Sequence, residues 1–539
     1  MMRTFRMMNV PTFAAVAAFV CSTVSPAFAQ QQAAAAATTS AAPMQTQTVD
    51  RYTVGQARPP IVEGSQLIEL TLEQAQAIAI EKNLDLKVAR MNPQSIDYQI
   101  ASARATFNPT FNLDYSYRDA QSQSNNTTEG VLNLTSRNQG YNGRLNQTLP
   151  WYGASYSASF SNSRQATNNA STRVNPAFNT GMNLTYNMPL LNGFKIDNNR
   201  NQLRTLQVQR VITDINLLAS VENTKNQVRQ SYWNLRSAIE QIEITRRALD
   251  IAKKQLEDSL LKVEIGTLAP IDTTNFEVAV ANNEQGVLAA QIAWRTAELN
   301  FKRLIVSGTD DDLYRMTINP VDAPALGVAS VDIQAAVSRA LAERTDIVVS
   351  RRNLDVSRLN LEVTKGALKP TLNFNFGYSV TGQGGTTRLN DGTIIDGGYW
   401  DALRAAYGFD LPTWNFGFTF NYPLGMRAAK ANYARSVLSI DQSVAQLKAQ
   451  ELTISTAVIN AGLAVENAYK LYQAAVKSRE AAEKNAEASQ VRFDNGMLTN
   501  FEVVQNQQTL TASRLSELSR LISYMNAVAE FERVQKVGG

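Results

Sequence analysis

The chain has 539 residues, of which 18% are charged, with a net charge of +4. That is below the roughly 25% charged content of an ordinary soluble protein, and the few cations form no cluster that would serve nucleic acid. Histidine is absent and Cys21 is the single cysteine. Histidine general-base chemistry, thiol catalysis, disulfides and Cys/His metal sites are thereby removed, and no cofactor is called for. An enzyme would have to work with isolated carboxylates and lysines, and none of them cluster as an active site.

Arg3 and Arg6 precede an apolar stretch from Phe13 to Val20, followed by Ala27-Phe28-Ala29. This predicts a signal peptide over 1–29, cut after Ala29, because the apolar run is shorter than the ~20 residues of a spanning helix. Residues 30–66 are rich in Gln, Ala, Thr and Pro and predict a flexible leader. No later stretch is long and apolar enough for a transmembrane helix. An exported chain of this kind meets a membrane through a closed β-barrel.

The same plan is written twice. Ala79–Leu113 lies over Ala340–Phe374 without a gap, and Asn108-Pro109-Thr110-Phe111 meets Lys369-Pro370-Thr371-Leu372. Met188-Pro189-Leu190 answers Tyr422-Pro423-Leu424, and Gly266-Thr267-Leu268 answers Gly496-Met497-Leu498. A first repeat spans 67–306, with an opening helix, strands within 107–190 and a helical hairpin over 195–306. A turn-rich linker, 307–330, follows. A second repeat spans 331–537, with helices over 331–367, strands within 370–424 and a hairpin over 426–537.

Thr71 with Gln74 offers a capping box for the first helix. In the strand regions aromatic and aliphatic residues alternate with Asn, Ser and Thr: Phe111, Leu113, Tyr115 and Tyr117, then Trp414, Phe416, Phe418 and Phe420. Period two with one aromatic and one polar face is the pattern of a barrel wall. A soluble β-sandwich also alternates, but buries aliphatics rather than girdle aromatics. The polar, Gly-rich stretches 121–140 and 382–411 predict extracellular loops. Val228, Leu235, Ile242, Leu249, Leu256 and Val263 recur every seventh residue, with Tyr232, Ile239 and Leu260 at intermediate seam positions. Leu447, Ile454, Val458, Ala461, Val465, Ala468, Tyr472, Ala475, Ala482 and Ala486 mark a second, alanine-rich seam. A helix from about 426 to 493 would be ~100 Å long.

The signal peptide, Asn83-Leu84-Asp85-Leu86 in the opening helix, the strand entry at Asn108-Pro109, the exit Pro189-Leu190-Leu191-Asn192-Gly193 and the duplicated glycine tips together resemble the TolC-type outer-membrane efflux protein family over nearly all of 67–535. The resemblance implies an α+β membrane protein: a homotrimer whose transmembrane β-barrel, four strands per chain, continues into a long α-helical coiled-coil barrel crossing the periplasm. It implies a passive exit duct for efflux or type I secretion, with small-molecule efflux favoured. The partners would be a periplasmic adaptor, an inner-membrane pump of resistance-nodulation-division or ABC type, and outer-membrane lipid. Gly266, Thr267, Leu268, Gly496, Met497 and Leu498 would form the adaptor-docking hairpin tips. Asp272, Glu502 and Gln505 would line the periplasmic aperture, although both acids also suit the first turn of a helix. The second tip lacks the arginine that latches some relatives, so apolar packing is the expected closure. Segments 141–149 and 152–163 exceed the usual two strands, as an extracellular hairpin or as further wall. A surface-exposed adhesive coiled-coil stalk is the alternative in a different functional class.

Overall fold

A computed structural model describes residues 57–60, 66–124, 127–324 and 331–535. The expected signal peptide and most of the leader lie outside the described residues. The part of the leader that is described is packed: Ala57 and Pro59 are buried, and Ala57 O accepts a hydrogen bond from Arg236 Nη1 at 3.3 Å.

The chain starts with strand β1 (Leu67–Leu70) and helices α1 (Leu72–Lys82) and α2 (Leu84–Ala105). Thr71 caps α1 as its sequence predicts: Thr71 Oγ1 accepts Gln74 N–H at 3.3 Å, and Gln74 Oε1 accepts Thr71 N–H at 3.1 Å. Asn83 then separates the two helices. Its Oδ1 caps α2 through Leu86 N–H at 2.9 Å, and its Nδ2 donates to Leu304 O at 3.0 Å.

Four strands follow: β2 (Thr110–Gln123), β3 (Asn133–Thr148), β4 (Ser155–Thr167) and β5 (Val174–Pro189). Next come the long helix α3 (Asn198–Glu264), its return α4 (Thr273–Ile305), the short α5 (Asp312–Arg315) and β6 (Thr317–Pro320). Helices α6 (Ile333–Glu343) and α7 (Thr345–Gly366) lead to β7 (Thr371–Arg388), β8 (Ile394–Ile395), α8 (Tyr399–Tyr407) and β9 (Pro412–Asn421). The chain ends with α9 (Arg427–Asp494) and α10 (Asn500–Gln535).

One antiparallel sheet runs β2-β3-β4-β5-β7, with β9 and the two-residue β8 both paired to β7. Segments 141–149 and 152–163 thus fall largely within β3 and β4 of this one sheet. The turn joining them sits beside the start of α3: Tyr152 stacks on Phe194 at 4.8 Å, and a side chain at Gly153 (φ +67°) would lie 2.8 Å from Gly193 O. The expected loops are also shorter than 121–140 and 382–411. The strands continue to Gln123 and Arg388, and α8 folds within the second stretch.

Linker 307–330 is not only turn: β6 pairs in parallel with β1, Leu67 opposite Thr317. This two-stranded piece covers buried polar groups on α3 and α4. Tyr232 OH lies 3.0 Å from Leu70 O and 3.1 Å from Asp322 Oδ2 and accepts Asp322 N–H at 3.0 Å. Burial and the Asp322 carboxylate push that phenol well above its usual range. Arg236 pairs with Glu240 at 2.7 Å and Lys302 with Glu298 at 3.2 Å, all four side chains buried. Charges taken out of water need partners.

At 1.5 Å per residue, α3 and α9 are each ~100 Å long. Val228, Tyr232, Leu235, Ile239 and Ile242 are buried, as the seven-residue spacing predicts. Lower down the seam moves to Ala252 and Ser259, while Leu260 is 51% exposed. The α9 seam holds Ile454, Val458, Val465, Ala475, Ala482 and Ala486 in burial. Small residues there bring α9 and α10 close together.

Candidate functional site

Three features of the fold can bear function: the two faces of the sheet, the helix lying on it, and the hairpin tips. Cross-strand register sorts the sheet into rows. One row is Phe111–Leu145–Ala158–Leu184–Tyr378–Trp414; the next is Asn112–Arg144–Ser159–Asn183–Ser379–Thr413. Apolar and polar residues thus occupy opposite faces across six strands. The apolar face is open in the single chain, with Leu113 75% and Trp414 64% exposed. A concavity of about 890 Å³ on this face is bordered by Phe111, Tyr141, Phe160, Met182, Tyr378 and Phe409. Its lining is mostly apolar sheet surface, and the polar Asn162 along it is already engaged by Thr180 and Tyr399.

Beyond Tyr117, Tyr141 and Val380 the apolar face turns polar, and α8 lies there. Ala402 and Ala406 are fully buried against Gly382 and Gly384. A Cβ at Gly382 would stand 2.1 Å from Ala402 O, and one at Gly384 2.3 Å from Gly398 O. Asn162 Oδ1 accepts the hydroxyls of Thr180 at 2.9 Å and Tyr399 at 3.2 Å. Trp400, Tyr407, Phe409 and Leu411 stay exposed. Nothing in the periodicity singles out α8, because its support is a stripe of glycines rather than an apolar run.

The tip residues all lie where the long helices reverse. Gly266 has φ +74° and Gly496 φ +69°, with no atom near enough to exclude a side chain, so conformation rather than space demands glycine. Thr267 and Leu268 N–H both donate to Lys262 O, at 2.8 and 3.2 Å, and Met497 N–H donates to Arg492 O at 2.9 Å. Thr267 and Met497 are exposed, while Leu268 and Leu498 are half-buried.

Asp272 ends the 3-10 turn Pro270–Asp272 and is half-buried. Glu502 is exposed in the first turn of α10, its N–H 3.4 Å from Thr499 Oγ1; Gln505 is exposed one turn on. Both acids therefore occupy helix-start positions favourable to negative charge.

The two tips are tied to each other. Asn500 Nδ2 donates to Asp272 O at 2.6 Å. Lys262 Nζ lies 3.6 Å from Asp494 Oδ1 and 4.3 Å from the Phe493 ring centre. Phe493 also meets Phe276 edge-on at 6.1 Å. The cation joining the tips comes from α3, before the first tip, where the missing arginine gave no hint of it. The contacts between the two hairpins are accordingly mixed, polar as well as apolar.

Among the described residues, no helix is long and apolar enough to cross a membrane, and no group of His, Cys, Asp or Glu could hold a metal ion. An amphipathic sheet joined to two ~100 Å helices, each packed against a shorter return helix, defines a class, that of channels built from sheet and coiled helix. The chain belongs to the outer membrane efflux protein family, whose model matches residues 154–305 and 336–534. It is an outer-membrane protein with a periplasmic extension.

Solved structures share the fold. The transmembrane channel protein CusC matches with a TM-score of 0.64 at 14% identity, over 89% of this chain and 95% of its own. The outer membrane channel CmeC of Campylobacter jejuni matches at 0.62 and 17%, over 87% and 86% of the two chains. A membrane protein from Pseudomonas aeruginosa matches at 0.63 and 14%, over 90% and 99%. A direct sequence comparison with curated proteins found no match. The family match opens at residue 154, so β2 and β3 lie outside it.

Proposed function

We propose that the chain is the outer-membrane exit duct of a tripartite efflux system, working as a homotrimer that conducts solutes passively and catalyses no reaction. One observation carries the reading: a sheet with one aromatic and one Ser/Asn face is continuous with two ~100 Å helices, each folded back on a return helix about half as long, in the same polypeptide. The apolar residues from Leu372 to Val380 give roughly 20 Å of height at a strand tilt near 40°, close to the apolar band of a membrane barrel. Helix pairs with open outer faces suit lateral assembly into a hollow bundle.

The glycine tips, Gly266-Thr267-Leu268 and Gly496-Met497-Leu498, are the docking surface for a periplasmic adaptor and through it for an energised inner-membrane pump. Exposed Ile265, Ile271, Met497 and Phe501 give that surface apolar contact area. Glu502, flanked by Asp272 and Gln505, forms a three-fold acidic ring at the aperture and favours cations. Small-molecule efflux is favoured over protein secretion as the cargo class.

Purified protein reconstituted in planar bilayers tests the reading. Stepwise conductance with cation preference is expected. A monomer that dissolves without detergent and carries no current would refute it.

A further inference from the structure

The sheet has two free edges. Six long strands alternate in direction from β2 to β9, and neither the outer edge of β2 nor that of β9 pairs with another described strand. Both edge strands are exposed and aromatic on the apolar face. Unpaired backbone N–H and C=O groups are not tolerated in hydrocarbon, so a partner strand is required. β2 runs away from the helical end and β9 runs toward it. A second copy of the chain can therefore lay its β2 against this β9 in the same antiparallel sense that holds throughout the sheet.

We infer that β2 and β3 are wall strands of the assembled barrel, which makes it an eighteen-stranded pore in a trimer rather than a twelve-stranded one. The inference rests on the trimeric duct reading. β3 pairs with β4 over its length from Ser136 to Thr148, and the β3–β4 turn lies at the helical end beside Phe194. A lid or external hairpin would have no reason to alternate, yet Phe111 and Leu113 face one way while Asn112 and Asp114 face the other. The family match covers β4–β5 and β7–β9 and leaves out β2–β3. Barrel diameter grows about linearly with strand number, and 16–18 strands leave an open aqueous channel. The pore would be about 1.5 times as wide as a twelve-stranded one. Bulky solutes would then be sieved at the periplasmic tips and not at the membrane.

Disulfide trapping tests this directly, since Cys21 is the only native cysteine and lies in the expected signal segment. Asp114→Cys is combined in turn with Thr413→Cys, Asn415→Cys, Gly417→Cys and Thr419→Cys, which covers the possible registers. A matched set pairs Ser159→Cys on β4 with the same four positions. After oxidation in membranes, the β2 set should give covalent dimers and trimers at one or two registers and the β4 set none. Cross-linking through β4 alone, an intramolecular β2–β9 disulfide, or an intact trimer linked through neither set would overturn the eighteen-stranded pore. Native mass separates the two readings: a particle that is not trimeric removes the duct reading itself, whereas a trimer closed through β4 removes only this inference.

Discussion

Single residues set the chemistry at the tips and in the polar belt around β1 and β6. Glu502 is exposed at the start of α10, so its removal should leave the fold alone and act on ions. Glu502→Ala is expected to lower the cation-to-anion permeability ratio in single-channel recordings, while an unchanged ratio would remove Glu502 from the aperture. Asp311 bears on stability instead. Burial alone would raise its carboxyl, but Lys82 at 3.0 Å and donors from Ser307 and Leu313 outweigh this and hold it at about 2. A lowered carboxyl contributes stability that is complete above the ordinary carboxylate value and is lost as pH falls toward 2. Asp311→Asn should flatten the acid limb of thermal stability between pH 4 and 2, each pH step being read by melting of the detergent-solubilised protein. A limb as steep as in the native chain would contradict this.

Lys262 joins the hairpins through a partly exposed ion pair, a type worth about 0–1 kcal/mol, and Asn500 through a buried side-chain amide. Substituting both with Ala is expected to raise the mean conductance of the isolated channel without loss of assembly. Conductance equal to the native value would show that these contacts do not hold the tips.

At the scale of elements, legibility follows periodicity and length. The upper α3 seam and the α9 seam were readable because apolar residues recur on one face over many turns, and burial of Val228, Leu235 and Val458 is the result. Near the first tip Leu260 misled, because Ser259 and Ala252 do the close packing there. The strand character of 141–149 and 152–163 was visible, but strand pattern does not say which sheet a strand joins, so their place in this sheet needed the register. β6 is four residues among turn signals, and its partner β1 lies some 250 positions away. α8 hid in a Gly-rich stretch because its helix-to-sheet contact depends on absent side chains at Gly382 and Gly384. Gly382→Leu should therefore expel α8 and speed proteolysis between 395 and 411, with trimer yield little changed. Unaltered cleavage would mean α8 is held elsewhere. Of the candidate site, the tip glycines could be located from their spacing, whereas the Lys262–Asp494 and Asn500–Asp272 links could not, since they join segments more than 200 residues apart.

In the whole molecule, what is exposed in one chain is what assembly must cover. On the proposed reading the apolar sheet face, the two sheet edges and the exposed Leu218, Leu260 and Leu261 of α3 share one physical requirement: lipid on one side, sister chains on the others. Charge plays a small part, and length does much of the work, since ~100 Å of helix reaches far beyond any membrane. Electron cryo-microscopy of the detergent-purified protein tests this most directly. A three-fold particle with a membrane-spanning sheet closed into a barrel, and a bore continuing through ~100 Å of helices, is the predicted result. A monodisperse single chain without a bore, or an assembly whose aromatic face is turned inward, would contradict it.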